Sequence, residues 1–219
     1  MIPIKDDNPT PIVPFVTIGV IVANCAVYLH QLLLPAKEAE MFVYTYGAIP
    51  AFLLKGINLY SPFTSMFLHG SFMHLFGNML YLWIFGDNIE HICGHFKFLL
   101  FYVVCGFIAF FSHFITEPAS AMPMVGASGA ISGVLGAYIL RFPRAKVHVF
   151  FWFFFIFMRI IPIPAFVVLG FWFLINILNG LLSANAGGNV AWFAHIGGFI
   201  AGVLLVRIFE KKRYRIHYR

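Results

Sequence analysis

Hydrophobic positions in this chain come in long blocks rather than in the short alternations of a soluble domain. Six blocks approach the ~20-residue length that crosses a bilayer. They cover roughly residues 14–34, 72–88, 96–116, 127–141, 163–183 and 190–209. Each predicts a membrane-spanning helix, because only helices and closed barrels satisfy their own backbone groups in hydrocarbon. The segment from Pro35 to Ser71 is mixed and rich in aromatics, and predicts a surface-packed loop with some helix of its own. One stretch does not fit: "VFFWFFFIF", Val149 to Phe157, is apolar enough for a membrane but too short to cross it. It is expected as an interfacial element on the cytoplasmic side. No repeat or low-complexity linker interrupts the chain, so the expectation is one all-α polytopic membrane domain over residues 1–219.

Composition agrees with the blocks. Of 219 residues, 61% are hydrophobic and 10% charged, whereas a soluble domain carries about 25% charged residues. The first block has no small-residue cleavage site behind it and reads as a retained anchor rather than a secretory signal. Cys25, Cys93 and Cys105 are too few and too scattered for a disulfide framework.

The net charge of +6 is placed, not spread. With six spans both termini share a side. If that side is the cytoplasm, Lys5, Lys97, Arg141, Arg144, Lys146, Arg159, Arg207, Lys211, Lys212, Arg213, Arg215 and Arg219 lie inside, and only Lys37 and Lys55 outside. This is the lysine and arginine bias of a cytoplasmic face. The tail "KKRYRIHYR" then anchors to anionic lipid of the inner leaflet rather than to nucleic acid. The expected location is a bacterial-type inner membrane with both termini cytoplasmic.

Polar groups inside spans are expensive and are functional candidates by default. Those singled out are Ser128 at the start of span four, His195 near the start of span six, and His74 with Asn78 near the start of span two. All three spans enter from the outer face, so the four groups share a depth. "MVGASGAISGVLGAY" places Gly129, Gly133 and Gly136 on one helical stripe beside Ser128, and "AHIGGFIAG" does the same with His195, Gly198 and Gly202. Such stripes let two backbones approach closely in a membrane. If they face each other, Ser128 and His195 meet at hydrogen-bond distance. From Ser128 to Phe142 is 15 residues, about 22 Å of helix against a hydrocarbon core about 30 Å thick. Ser128 therefore sits below the outer edge, and hydrolysis there needs a polar cavity, with His69, Ser71, His74 and Asn78 as expected lining.

Metal and aspartyl chemistries find no residues. There is no H-E-x-x-H and no pair of intramembrane carboxylates. His91, Cys93 and His95 fall on the cytoplasmic side without a nearby fourth ligand. No metal and no cofactor is expected. A transporter would show ionisable pathway residues or paired broken spans, and neither is evident.

At these residues the chain resembles the rhomboid family of intramembrane serine proteases. The matching pieces are "HGSFMHLFGN" (His69 to Asn78), "GASG" (Gly126 to Gly129) and "AHIGG" (Ala194 to Gly198), in that order on spans two, four and six. The resemblance implies Ser128 as nucleophile and His195 as general base, without an acidic third member. It further implies an oxyanion hole of His74, Asn78 and the Ser128 backbone N–H, and substrates that are transmembrane segments cut near their outer end. The partners implied are transmembrane proteins and membrane lipid, with oligomeric state open. The chain departs from some members in lacking Trp-Arg in the first loop, and in carrying Ser132 where a tyrosine stacks on the histidine. The alternative is a rhomboid-like non-proteolytic protein of binding or trafficking, which keeps the fold and loses the dyad.

Overall fold

The computed structural model describes residues 2–153, 157–183 and 191–211. Residues 154–156 of the aromatic stretch, the loop around Ala186 and Gly187, and the tail from Lys212 to Arg219 lie outside these described residues.

The chain is mostly helical. The long helices are α1 (Phe15–Leu33), α5 (Phe72–Cys93), α6 (His95–Thr116), α7 (Ser128–Arg141), α8 (Ala165–Ser183) and α9 (Trp192–Phe209). The Pro35–Ser71 segment carries α2 (Ala36–Tyr46) and the short turns α3 (Pro50–Leu53) and α4 (Ser61–Thr64). Among the described residues, α1, α6, α8 and α9 are long and apolar enough to cross a membrane. The other two long helices fall short for identifiable reasons. α5 is diluted by His74, Asn78, Asp87, Asn88, Glu90 and His91. α7 has 14 residues, about 21 Å of helix. Both contribute candidate site residues.

The side-chain pattern suits a lipid solvent. The buried face of α1 is Thr17, Val20, Asn24, Tyr28 and Gln31, while Val22, Leu29, Leu32 and Leu33 point outward. The 3–4 spacing is that of one helix face, but the polar groups are inside and the apolar ones outside. Glu90 of α5 accepts from the Val16 and Thr17 backbone N–H (2.9 and 2.8 Å) and from the Thr17 hydroxyl (2.7 Å). These bonds satisfy orphan donors at the α1 N-terminus.

The all-α expectation is corrected by a three-stranded antiparallel sheet. β1 (Ile2–Asp6), β2 (Lys146–Phe153) and β3 (Phe157–Pro164) are ordered β1-β2-β3. The β2–β3 register runs from Lys146 opposite Pro164 to Phe153 opposite Phe157. β1 lies along β2, with Asp6 opposite Val147. Val147 and Val149 are buried in the core while His148 and Phe150 face away. A segment too short to span must still pair its backbone groups, and the hairpin does this. Pro3, Pro162 and Pro164 sit on the two outer strands, where a missing N–H disturbs least.

α7 is the central helix. Every residue from Ala130 to Tyr138 is buried, and α5, α6, α8 and α9 surround it. Its glycines explain how. A Cβ on Gly136 would run into the Phe199 carbonyl of α9, one on Gly198 into the Gly129 carbonyl, and one on Gly202 into the Gly133 carbonyl. The α7–α9 interface is thus backbone against backbone, as the two stripes lead one to expect. Gly129 and Gly133 differ in part: a Cβ on Gly129 would face Ala109 of α6 at 2.7 Å, and one on Gly133 would fall against the Cys105 side chain of α6.

Candidate active site

The N-termini of α5, α7 and α9 gather at one end of the bundle, and the sheet closes the other. Ser128 is the first residue of α7. Its N–H and those of Gly129 and Ala130 belong to the first turn, which has no intrahelical acceptors and carries the positive end of the helix dipole. Gly126, two residues earlier, has φ +124° and donates its N–H to the Ser65 carbonyl at 2.9 Å. That left-handed conformation is open to glycine at little cost. A Cβ there would also lie 2.8 Å from Cε1 and Nε2 of His74 and 3.5 Å from Nδ2 of Asn78. The bare backbone before Ser128 is therefore what admits the His74 ring, with Asn78 beside it at ordinary contact distance.

Close approach of α7 and α9 brings Ser128 Oγ to 2.9 Å from His195 Nε2. Both residues are half-buried. The other imidazole nitrogen is also occupied: His195 Nδ1 lies 2.7 Å from Oδ1 of Asn176, on α8. The Trp172 ring stands 5.9 Å from the His195 ring in a tilted arrangement, and the Trp192 ring 6.0 Å away, edge-on. Ser132, which stands where some relatives have a stacking tyrosine, instead donates to the Ser128 carbonyl at 2.6 Å. Indole rings from α8 and α9 flank the histidine in its place.

His74 and Asn78 share a face of α5. Asn78 Nδ2 lies 2.9 Å from His69 Nε2, and the His69 and His74 rings meet edge-on at 5.0 Å. An amide NH₂ has only hydrogens to offer, so His69 accepts at Nε2 and is neutral. Burial agrees, pushing the His69 imidazole down to about 4, with the neighbouring His74 adding to the effect. One Asn78 N–H remains for another acceptor. Gln31 of α1 holds the His69 backbone from both sides, accepting from its N–H at 3.2 Å and donating to its carbonyl at 3.4 Å. Ser71, expected as cavity lining, caps α5 by accepting from the His74 N–H at 3.2 Å. His91, Cys93 and His95 lie at the opposite end, where His95 Nδ1 contacts Glu90 Oε1 at 2.5 Å and Cys93 is buried.

The four sequence candidates are thus brought together, and two further groups join them that the sequence reading passed over. Asn176 and Gln31 are both buried. The available signal was their polarity: an amide inside an apolar run is costly unless paired. In "FWFLINILNG", however, Asn176 and Asn179 are equally conspicuous.

The family model described as Rhomboid domain matches residues 57–212. The chain is 32% identical over 162 residues to Rhomboid protein 1, mitochondrial, of Saccharomyces cerevisiae, covering 69% of this chain and 43% of that protein. It is 29% identical over 197 residues to the human Presenilin-associated rhomboid-like protein, mitochondrial, covering 86% of this chain and 46% of that protein. It is 32% identical over 140 residues to Rhomboid protease GluP of Bacillus subtilis, covering 64% of this chain and 24% of that protein. The chain spans less than half the length of each of these relatives.

Proposed function

This chain belongs to the rhomboid family, and we propose that it is an intramembrane serine endopeptidase working through a Ser128–His195 dyad. The observation that carries the reading is the 2.9 Å contact between Ser128 Oγ and His195 Nε2 at the mouth of a helix N-terminus. Ser128 Oγ attacks the scissile carbonyl carbon while its proton passes to His195 Nε2. The negative oxygen so formed is met by the Ser128 backbone N–H, the free Asn78 N–H and His74. Preorganised donors of this kind are each worth roughly 10²–10³ in rate. The tetrahedral species collapses as His195 returns the proton to the leaving amine, giving an acyl-enzyme on Ser128. Water then enters, His195 takes its proton, and the second tetrahedral species releases the acid and restores Ser128.

The substrate class is the transmembrane segment of a membrane-anchored protein, cut near its outer end. The depth follows from α7, whose 14 residues cover about 21 Å of a ~30 Å core. In this reading the chain is one six-span domain, α5 and α7 included, with both termini on the cytoplasmic side. The described basic residues support that orientation. Arg141 pairs with Glu210 at 3.0 Å, Lys146 lies in β2 and Lys211 donates to the His91 carbonyl, all at the sheet end. Lys37 and Lys55 belong to the α2–α3 segment, which pairs at Ala48 with Met124 near the site.

The test is labelling of the full-length protein with a fluorophosphonate probe, alongside cleavage of a membrane-anchored substrate. The wild type is expected to label and cleave. Ser128→Ala and His195→Ala are expected to do neither while still accumulating in the membrane. The two act as one unit, so the double variant should be no slower than either single one. Substantial cleavage by well-expressed Ser128→Ala overturns the assignment.

A further inference from the structure

We propose that Asn176 is the positioning residue of the dyad, holding His195 in the one tautomer that can take the proton of Ser128; this rests on the dyad reading above. The argument runs through three hydrogen bonds in series. Asn176 Nδ2 donates to the Trp172 carbonyl, one turn earlier on α8, at 2.7 Å. A carbonyl oxygen can only accept, so that bond decides which end of the amide is nitrogen. Turned over, the amide would set Oδ1 against the Trp172 oxygen and leave both without a hydrogen. With Nδ2 committed, Oδ1 faces His195 Nδ1 at 2.7 Å. Oδ1 also can only accept, so Nδ1 carries the hydrogen. A neutral imidazole has one N–H, and His195 Nε2 is left with its lone pair, 2.9 Å from Ser128 Oγ. The backbone of α8 thus sets the amide, the amide sets the imidazole, and the imidazole is ready as a base.

Two further observations fit a positioning role. Asn176 is 3% exposed, so water does not compete for its oxygen. Its side chain also bridges α8 to α9, so the orientation of His195 does not depend on α9 alone. The choice of an amide follows from the solvent. A carboxylate in this place would put a charge within a membrane-spanning helix at considerable cost, whereas an amide supplies the same acceptor oxygen uncharged. The chain therefore has a third member after all, and it is neutral. When Nε2 takes the proton, both imidazole nitrogens carry hydrogen, and the Oδ1 bond becomes charge-assisted and stronger.

The experiment uses the full chain in detergent or vesicles, with Asn176→Leu, which keeps the bulk and removes the acceptor, and Asn176→Asp, which restores an acceptor oxygen. We measure kcat and KM for a membrane-anchored substrate, the fluorophosphonate labelling rate, the melting temperature, and the ¹⁵N spectrum of the His195 imidazole. Asn176→Leu should lower kcat and the labelling rate by about tenfold or more, with KM changed less than twofold. Asn176→Asp should recover most of that rate. The wild-type spectrum should show the hydrogen on Nδ1, and Asn176→Leu a mixture of tautomers. A wild-type hydrogen on Nε2 overturns the proposal, whether or not the Leu variant folds. So does full turnover by folded Asn176→Leu, or a rate loss that only tracks the folded fraction. Failure of the dyad itself reads differently: the wild type would not label, or Ser128→Ala would still cleave, while the His195 spectrum would continue to report the tautomer.

Discussion

Replacing Gly202 by alanine should pull the dyad apart from two turns away. A Cβ at Gly202 would lie 2.6 Å from the Gly133 carbonyl carbon, 2.8 Å from its Cα, and against its oxygen. Carbon atoms settle at about 3.5–4.0 Å, so α9 must retreat from α7 by about 1 Å at that level. Nothing can rotate aside, since the obstacle is backbone. Ser128 lies five residues before Gly133, about 7.5 Å along the axis. If half the displacement reaches it, the 2.9 Å contact with His195 opens to about 3.4 Å, beyond the ordinary limit of roughly 3.2 Å. Overpacking of this kind costs about 1–3 kcal/mol of stability. A misplacement approaching 1 Å can cost about 10²-fold in rate, so a loss of roughly 10- to 100-fold is expected in the folded fraction. Fluorophosphonate labelling and substrate cleavage, each normalised to the folded fraction from thermal melting, measure it. Gly19→Ala on α1 is the control, because a Cβ there meets nothing within 4 Å. A Gly202→Ala protein that melts and labels like the wild type refutes the backbone-contact argument.

Two other outcomes are expected. Asn78→Ala should lower kcat and kcat/KM together, by up to about 10²–10³, while loss of the His69 contact lowers the melting temperature; full turnover in the surviving folded protein removes Asn78 from the oxyanion hole. Asp6, in β1, is pushed up to about 6 by burial, with the hydrogen bond from Tyr138 opposing and the charge of Asp87 reinforcing the shift. Its folded value lies above the ordinary 3.8, so its contribution is fully present below about pH 4 and declines as pH rises through about 6. Asp6→Asn should therefore flatten the melting temperature between pH 4 and 7, and an identical slope in both proteins argues against it.

The blocks of α1, α6, α8 and α9 were legible as spans because membrane solvation acts locally: about twenty apolar residues in a row declare a span whatever surrounds them, whereas those of α5 and α7 were legible as helices. Ser128, His195, His74 and Asn78 were legible for the same reason, since each is a polar group where polarity is costly. The glycine stripes could also be read, because a bare helix face in a membrane has little use other than close approach. The sheet could not. Phe150, Phe151, Trp152 and Phe153 are apolar at every position, which erases the alternation that marks a strand, and the partner strand β1 lies at the far N-terminus.

Asn176 marks the boundary between the two kinds of information. The sequence by itself determined that α8 carries two amides, Asn176 and Asn179, in an otherwise apolar run. Which of them serves the site depends on how α8 is rotated against α9. That rotation follows from the packing of Phe173 and Trp172 on Phe199, contacts between residues far apart in the chain. Likewise, the seven-residue spacing of Thr17, Asn24 and Gln31 shows one face of α1, but only the packed structure reveals Glu90 as the partner of Thr17 and the His69 backbone as that of Gln31. Local composition decides what must be inside or outside a bilayer, because solvation is paid residue by residue. Tertiary structure decides which polar groups meet, because a hydrogen bond is directional and needs both partners in place.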